Sequence, residues 1–533
     1  MVRMLGIRGL VCATAMLCCV LGAQAQWSSD PSMNLAVADR SGDQVQAKIQ
    51  ATSDGGCYVS WYDNSTGGYD VYLQRLDADG VEQWAHNGVL IANRGFSSTQ
   101  DYGLDVDPAG NAILAFRDDR SGPVQITASL VSPSGTLLWG ANGVQASVTS
   151  DGSAPHVAAT SDGNYVVGWT IGSGFRIQKL DASGTPQWPA DGYLYQPSTG
   201  SYMLSELVGS DAGAVIALWV RPIGNFLSDK HLYTQKYDPN AVELWDGDPG
   251  TPGAADPVHV FDNGSVQIGY FPTFVSDGAG GAVYGWYAIS GNRDCYVQRV
   301  DAGGAELFPH NGVSASIQAN RYQLSAGVSF DPATSETFLA WTESNTTQTQ
   351  WGLYAQRFSV TGARQWGDNG LQILPLSGAQ NFFANSLAYD GGATVTALSD
   401  SSAGTVLAAR FDLSGTPLWS PSPFNACSVV SGKSRLSSTL STTGDALLVW
   451  GDARSDGGDI YAQNINPDGS LGLLPCPADL NGDGHIGIGD LATLLANYGS
   501  TSANPEDGDL DGDGDVDLSD LAALLAVYGT QCP

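Results

Sequence analysis

The sequence is poor in charged residues, and positive charge is the scarcest. Only 14% of its 533 residues are Asp, Glu, Lys or Arg, and 22 Lys and Arg stand against 54 Asp and Glu, a formal net charge of -32. A surface of this sign repels phosphate backbones and anionic lipid head groups, so we expect no nucleic-acid partner. Low charge together with 67 glycines favours short strands and tight turns over long charged helices, and we predict a mainly β fold.

Long apolar runs are also lacking beyond the N-terminus. Residues 1–25 combine Arg3 and Arg8 with a short apolar run that ends in Ala23-Gln24-Ala25, a pattern typical of an export signal cleaved before Gln26. The run is too short to span a bilayer, and no later segment is continuously apolar. We therefore expect a mature chain without a transmembrane segment, secreted or held at the cell surface, with the periplasm as the alternative compartment.

Cysteine is sparse. The residues that remain after this cleavage are Cys57, Cys295, Cys427, Cys476 and Cys532. Cys476 and Cys532 bracket the last segment of the chain and are candidates for a disulfide, a bond that an oxidising compartment preserves. The sequence assigns no partner to Cys57, Cys295 or Cys427.

A repeated block dominates the middle of the chain. Each block holds an apolar strand with a large residue at its end, a second alternating strand, a Gly-containing turn and another large residue, with a period of roughly 50 to 55 residues. The first slot is filled by Trp61, Phe116, Trp169, Trp219, Trp286, Trp341, Ala397 and Trp450, and the second by Trp84, Trp139, Trp188, Trp245, Phe308, Trp366 and Trp419. Each block thus supplies four short strands, which is the content of one β-propeller blade.

The two ends of the repeat array complement each other. The eighth block stops after Ser470 without its aromatic residue and fourth strand, whereas Trp27 followed by Asn34–Ala38 resembles Trp84 followed by Val89–Ala92. We predict that the N-terminal strand completes the last blade and closes an eight-bladed propeller over residues 26–472, because closure hides the sheet edges. A seven-bladed ring is the alternative if the poorly matching block around Ala397 is not a blade.

The repeat offers no catalytic signature. The sequence contains no Gly-x-Ser-x-Gly elbow, no His-Glu-x-x-His motif and no phosphate-binding loop. The acidic residues Asp63, Asp118, Glu343, Asp400 and Asp452 recur at one place in the block, which indicates a structural role, as does the fixed place of the tryptophans, which predicts packing between blades rather than sugar binding. We assign no catalytic residue and favour a protein that is not an enzyme.

Two acidic loops follow the repeats. Residues 479–490 and 509–520 each place oxygen donors at positions 1, 3, 5 and 12 of a twelve-residue loop and Gly at position 6, as a calcium loop requires. The donors are Asp479, Asn481, Asp483 and Asp490 in loop one and Asp509, Asp511, Asp513 and Asp520 in loop two. His485 and Asp515, at position 7, are expected to contribute backbone carbonyls. Because Asp517 adds a carboxylate where loop one has Gly487, we predict two calcium ions, the tighter one in loop two.

An apolar helix is predicted after each loop. Leu491, Leu494, Leu495 and Tyr498 recur at i, i+3, i+4 and i+7, so we expect this face to pack against its equivalent in the second repeat. The prolines before each loop disfavour the preceding helix of an ordinary EF-hand.

Loop then helix, twice, resembles a type I dockerin, and residues 473–533 are similar to that family. The resemblance implies calcium-dependent binding to a cohesin-like partner in an extracellular assembly, often one that degrades polysaccharide. It places the partner-binding residues at loop positions 10 and 11, here Ile488, Gly489, Leu518 and Ser519, which depart from the Ser-Thr pairs of many members. Two other interpretations are a calcium-stabilised stalk that binds nothing and a sorting or surface-attachment tag.

For the whole chain we therefore expect an exported β-propeller that acts as a binding or scaffold protein, anchored to an extracellular or cell-surface complex by a small all-α calcium-binding module. The alternative is a carbohydrate-active enzyme, a glycoside hydrolase or a polysaccharide lyase, with its site in the propeller.

Overall fold

The computed structural model describes residues 26–532 except 96–98, 100, 248–255, 290–291, 379–382, 390, 400–403, 474–475 and 483. The predicted export signal, Asp400 and the loop-one donor Asp483 lie outside the described residues. Within the described part, the strands form eight four-stranded antiparallel sheets arranged as an eight-bladed β-propeller, and two helices follow near the C-terminus.

Blades 1 to 4 each consist of four consecutive strands, with the first strand on the propeller axis and the fourth at the rim. Blade 1 contains β2 (Gln44–Ala51), β3 (Cys57–Asp63), β4 (Asp70–Leu76) and β5 (Val89–Ala92); blade 2 contains β6 (Gly103–Val106), β7 (Ala112–Asp118), β8 (Gln125–Val131) and β9 (Val144–Gln145). Blade 3 contains β10 (Ser153–Ala159), β11 (Tyr165–Ile171), β12 (Gly174–Leu180) and β13 (Tyr193–Tyr195); blade 4 contains β14 (Met203–Gly209), β15 (Val215–Pro222), β16 (Lys230–Tyr237) and β17 (Val258–Phe261).

Blades 5 to 7 repeat this order, and blade 8 combines three strands with the first strand of the chain. Blade 5 contains β18 (Phe274–Ser276), β19 (Ala282–Ala288), β20 (Asp294–Val300) and β21 (Val313–Ser314); blade 6 contains β22 (Arg321–Asp331), β23 (Glu336–Asn345), β24 (Trp351–Phe358) and β25 (Leu371–Ser377). Blade 7 contains β26 (Phe383–Tyr389), β27 (Gly392–Leu398), β28 (Gly404–Asp412) and β29 (Phe424–Ser431); blade 8 contains β30 (Lys433–Leu440), β31 (Ala446–Asp452), β32 (Asp459–Ile465) and β1 (Leu35–Ala38).

The hydrophobic core lies between neighbouring blades. The second strand of a blade is buried along its whole length in β3, β19, β27 and β31, because strands flank it on both sides and blades cover both of its faces. A strand in this position reads as a continuous apolar run rather than as an alternating one. One cluster, for example, joins Trp61 and Val59 of blade 1 to Val449 and Leu35 of blade 8.

The N-terminal strand closes the ring. Strand β1 pairs antiparallel with β32, with Leu35 opposite Ala462. The side-chain amide of Asn34 donates to the carbonyl of Ala426 and to Oε1 of Gln463, both at 2.9 Å. The predicted closure is therefore confirmed. The block around Ala397 forms a complete blade of its own, so the seven-bladed alternative was wrong.

A ring of indole hydrogen bonds joins successive blades. The tryptophan that precedes the fourth strand donates its Nε1–H to a turn carbonyl of the next blade at 2.9 to 3.1 Å. The pairs are Trp27 to Ala78, Trp84 to Pro133, Trp139 to Ala182, Trp188 to Pro239, Trp245 to Ala302, Trp366 to Leu413 and Trp419 to Pro467. Blade 5 carries Phe308 in this slot, and a phenyl ring has no such donor. The predicted packing role of these residues is confirmed.

The recurring carboxylates brace the ends of the second strands. Asp63 accepts from Arg40 at 3.1 Å and from the backbone N–H of Ser65 at 2.9 Å, and Asp118 pairs with Arg120 at 2.8 Å. Asp452 is fully buried between Lys433 at 2.8 Å and Arg454 at 2.7 Å. Burial raises the pKa of Asp452, but the bonds from Arg454 and Lys433 outweigh it and hold this pKa at about 2.

Two helices follow the propeller in the sequence, α1 (Ile488–Asn497) and α2 (Leu518–Ala526). Among the described residues, no helix is both long enough and apolar enough to cross a membrane.

Candidate metal centre and channel cavity

The two loop–helix repeats at the C-terminus form one unit, in which the end of each helix pairs with the loop of the other repeat. After α1, Gly499 and Ser500 pair through their backbones with Val516 of loop two, at 2.8 and 3.0 Å, and after α2, Gly529 and Thr530 pair in the same way with Ile486 of loop one, at 2.8 and 2.9 Å. A disulfide joins Cys476 to Cys532, whose Cα atoms lie 5.7 Å apart. Each repeat therefore holds the loop of the other in place.

The core of this unit is small, and each helix contributes one fully buried apolar residue to it. Leu494 and Leu524 are buried with Ala478, Ile486 and Val516. The prediction that the whole face containing Leu495 and Tyr498 packs inward was wrong, because these side chains are 52% and 48% exposed. Ile486 and Val516 come from the loops and fill the space between the helices, so the outer half of each helix face stays uncovered.

Loop two brings five of its six carboxylates into two groups, and Asp513 belongs to neither group. Oxygens of Asp509, Asp511 and Asp520 all lie within 4.8 Å of one another, and so do oxygens of Asp515, Asp517 and Asp520. We expected Asp515 to contribute only a backbone carbonyl, but its carboxylate belongs to this second group. Asp520 belongs to both groups, and an all-oxygen set of hard donors suits calcium.

Backbone N–H groups hold the first and last carboxylates of both loops. In loop two, Asp509 accepts from Gly512 at 2.8 Å and Gly514 at 3.0 Å, and Asp520 accepts from Leu510 and Asp517, both at 2.7 Å. In loop one, the same bonds reach Asp479 from Gly482 and Gly484, both at 2.8 Å, and reach Asp490 from Leu480 at 2.8 Å and Gly487 at 2.7 Å. Loop one thus shares the scaffold of loop two.

No Lys or Arg within this unit neutralises its acidic residues. Between residues 476 and 533 there is no Lys or Arg, and the acidic residues are Asp479, Asp483, Asp490, Glu506, Asp507, Asp509, Asp511, Asp513, Asp515, Asp517 and Asp520. Desolvation and the negative charges of Asp513, Asp520 and Asp509 raise the pKa of Asp511. Clustered carboxylates repel one another unless a cation lies between them, so the geometry favours binding of a divalent ion from solution.

The residues expected to bind a partner lie at the surface. At loop position 10, Ile488 and Leu518 are 73% and 67% exposed, and at position 11, Ser519 is exposed and Gly489 is half-buried. Exposed apolar side chains continue along both helices. We call the set formed by Ile488, Leu495, Tyr498, Leu518, Leu525 and Tyr528 the apolar strips.

A second site lies in the central channel of the propeller. A cavity of about 430 Å³ is lined by the inner strands of blades 1 to 5 and blade 8. Two side-chain pairs occupy one side of it, the ion pair of Lys48 with Asp101 at 2.9 Å and the contact of the buried His156 with Glu206 at 3.0 Å. Asp105 of β6 lines the same cavity and accepts a bond from the backbone N–H of Ala159 at 2.8 Å.

The environments of Asp105 and Glu206 push their pKa values apart. Burial, assisted by the charges of Glu206 and Asp107, raises the pKa of Asp105 to about 6. Burial acts in the same sense on Glu206, but the charge and hydrogen bond of His156 outweigh it and lower this pKa. Two carboxylates with different proton affinities in one cavity are the arrangement that acid–base chemistry uses.

Sequence reasoning missed the channel cavity. Its charged residues come from different blades, and no spacing along the chain connects Lys48, Asp105 and Glu206. A usable signal was present, since at one position of the first strand the chain has Lys48, His156 and Glu206 in blades 1, 3 and 4 but uncharged residues in the other blades.

The chain is thus an eight-bladed β-propeller with a C-terminal unit of two acidic loop–helix repeats. No family model matches the sequence, and no curated protein matches it either.

Solved structures match the chain at low identity and with low TM-scores. One is an ulvan lyase, a polysaccharide lyase, with 11% identity and a TM-score of 0.41, covering 84% of this chain and 97% of the other. A protein of unknown function from Dyadobacter fermentans has 10% identity and a TM-score of 0.33, covering 59% and 93%. A puromycin hydrolase has 12% identity and a TM-score of 0.38, covering 80% of this chain, and this chain spans 61% of its length.

Proposed function

We propose that the protein is an exported β-propeller that attaches, in a calcium-dependent manner, to a cohesin-like protein or surface scaffold through its dockerin-like C-terminal unit. The observation that carries the proposal is the convergence of Asp509, Asp511 and Asp520 in a segment without a single Lys or Arg. Such a segment needs a cation from solution to neutralise it, and calcium is abundant outside the cytoplasm.

In this proposal, two calcium ions fix the shape of the two loops. Loop one supplies Asp479, Asn481, Asp483 and Asp490 with the carbonyl of His485, and loop two supplies Asp509, Asp511, Asp513, Asp515, Asp517 and Asp520. Each bound ion would stabilise the folded unit by mass action, because the unfolded chain lacks the preformed site. The Cys476–Cys532 disulfide fits an oxidising compartment outside the cytoplasm.

The apolar strips support a docking role rather than a bare stalk. Large apolar side chains such as Ile488, Leu518 and Leu525 leave more than half of their surface exposed to solvent. Burying an exposed Ile or Leu against a partner contributes on the order of 1.5 to 3 kcal/mol per side chain. The two strips are equivalent in the two repeats, and in this proposal the calcium-bound loops would set their spacing.

The test is capture of a partner by the full mature chain. Immobilised protein is exposed to the extracellular fraction of its source in millimolar calcium and, separately, in chelator, and we expect one cohesin-like protein to be retained only in calcium. The double substitution Ile488→Ser and Leu518→Ser should abolish capture while calcium affinity is unchanged. The matched control is Val148→Ser, which removes a 63% exposed apolar side chain from the propeller. Retention in chelator, or full capture by the double variant, contradicts the proposal.

A second candidate function is a carbohydrate-active enzyme that works in the channel. The specific observation in its favour is that Asp105 and Glu206 line one cavity with opposite pKa shifts. Asp105 would act as the proton donor and Glu206 as the ionised partner. Cleavage of a polysaccharide panel should then fall as pH rises through about 6 and should be lost in Asp105→Asn and Glu206→Gln. Absence of cleavage by the unmodified chain across pH 4 to 8 would reject this candidate.

A further inference from the structure

Arg435 breaks the symmetry of the channel. It lies on β30 of blade 8, where the pairing with β31 shifts register between Ser434 and Ser437, and its backbone adopts the left-handed region with φ of 53°. Its side chain is exposed and lines the central cavity. The same bulge recurs with a positive φ at Gln46, Ala154 and Ser325, so the guanidinium of Arg435, and not its backbone, sets blade 8 apart.

Arg435 is the cation of the cavity without a matching carboxylate. Lys48 is paired with Asp101, and Glu206 is paired with His156. Asp105 has its carboxylate engaged by backbone N–H groups of Val106 and Ala159. Among the residues that the structure describes, Arg435 makes no ion pair and no side-chain hydrogen bond.

The rest of the lining suits a ligand with hydroxyl groups. Gln46 and Ser437 offer an amide and a hydroxyl to the cavity, while Leu104, Leu207 and Phe274 supply apolar surface. Phe271, an aromatic side chain 44% exposed, comes two residues before Thr273 of the lining. The C–H groups on one face of a sugar ring can pack against an aromatic side chain of this kind.

We propose that the central cavity binds a sugar acid, with the ligand carboxylate held by the Arg435 guanidinium and the ligand hydroxyls held by Gln46, Ser437 and Asp105. A planar guanidinium matches a carboxylate through two parallel hydrogen bonds, which neutral sugars cannot supply. A cavity of about 430 Å³ accommodates a ligand of one or two sugar rings. The inference deepens the second candidate function by naming its ligand class, and it is independent of docking.

The experiment is binding of D-glucuronate and D-galacturonate to the full mature chain, measured by saturation-transfer NMR and calorimetry, with D-glucose and D-galactose as neutral counterparts. We expect the uronates to bind, and to bind at least tenfold more tightly than the neutral sugars. Arg435→Gln should weaken uronate binding at least tenfold and leave the melting temperature unchanged. Glutamine fits this backbone, because Gln46 occupies the equivalent bulge of blade 1 with φ of 61°. The control is Arg321→Gln, which removes a guanidinium of blade 6 that lies outside the cavity lining.

The outcomes separate this inference from the enzyme. Uronate binding that depends on Arg435 without any turnover of polysaccharide keeps the inference and removes the enzyme candidate. Turnover with unaltered uronate binding by Arg435→Gln keeps the enzyme and overturns the inference. Absence of uronate binding at millimolar concentration, or equal binding of neutral sugars, also overturns it.

Discussion

Carboxylates of the propeller and of the C-terminal unit have opposite electrostatic surroundings. In the propeller, Asp63, Asp118 and Asp452 each face an arginine or lysine of the same chain. In the unit after residue 475 the chain has no Lys or Arg, and Asp509 and Asp520 are held by backbone N–H groups beside further carboxylates. These three propeller carboxylates therefore have counter-charges on the same chain, whereas the carboxylates of the unit have no Lys or Arg beside them within it. The difference teaches that the two parts should respond to different solution conditions.

The largest expected effect is the removal of calcium. We expect chelator to lower the stability of the C-terminal unit by about 5 kcal/mol, since each of two sites at a hundredfold excess of ion over its dissociation constant contributes about 2.7 kcal/mol. The propeller should melt at the same temperature with and without chelator. Differential scanning calorimetry of the full chain resolves the two transitions. An identical trace in both conditions would contradict the expected difference between the two parts.

The next effect belongs to the propeller. Asp452→Asn should cost about 3 to 5 kcal/mol, because it leaves the buried Lys433 and the neighbouring Arg454 without their counter-charge. Since the folded pKa of about 2 lies below the ordinary carboxyl pKa of 3.8, this stabilisation is present above pH 4 and is lost as pH falls through 2. Denaturant unfolding measures both the loss of stability in the variant and the pH dependence of the unmodified chain. Asp368→Asn is the matched control, since it removes a 74% exposed partner of Arg364 and should cost under about 1 kcal/mol.

A smaller effect distinguishes the two loops within the C-terminal unit. Calorimetry on Asp479→Ala reports the calcium affinity of loop two, and Asp509→Ala reports that of loop one. We expect loop two to bind about tenfold more tightly, a difference of about 1.4 kcal/mol, because Asp511 and Asp517 add negative ligands. A stronger loop one would show that rigidity outweighs charge here.

The smallest effect concerns the gap in the indole ring at Phe308. Phe308→Trp should add an N–H donor facing the turn of blade 6 and stabilise the propeller by about 0.5 to 1 kcal/mol. The reverse change, Trp245→Phe, removes the bond to Ala302 and should cost about as much. Thermal unfolding of both variants in chelator isolates the propeller, and stabilisation by Trp245→Phe would contradict this account.

The repeat could be recognised in the sequence because each blade has similar residue types at similar spacing. The large residue of the second strand, the Gly-containing turn and the second aromatic residue predicted eight blades, and the orphan strand after Trp27 predicted their closure. Even the weak block around Ala397 forms a blade, since β27 is buried along its length without an aromatic residue.

Features that depend on contacts between residues far apart in the sequence could not be predicted from it. The periodicity of Leu491, Leu494, Leu495 and Tyr498 gave no sign that Ile486 and Val516 would fill the helix interface. The channel cavity draws Asp105, Glu206 and Arg435 from three blades, so only the three-dimensional ring brings them to one place.

The route by which the chain leaves the propeller has a mechanical consequence. The segment that leads to the C-terminal unit follows β32, and Gly472 is held by hydrogen bonds to Asn464 and Asn466. Strand β32 is sandwiched between β31 and β1. Tension applied at the tail therefore acts on a strand that is hydrogen-bonded to a neighbour on each side, so the blade that closes the ring is the first to bear the load.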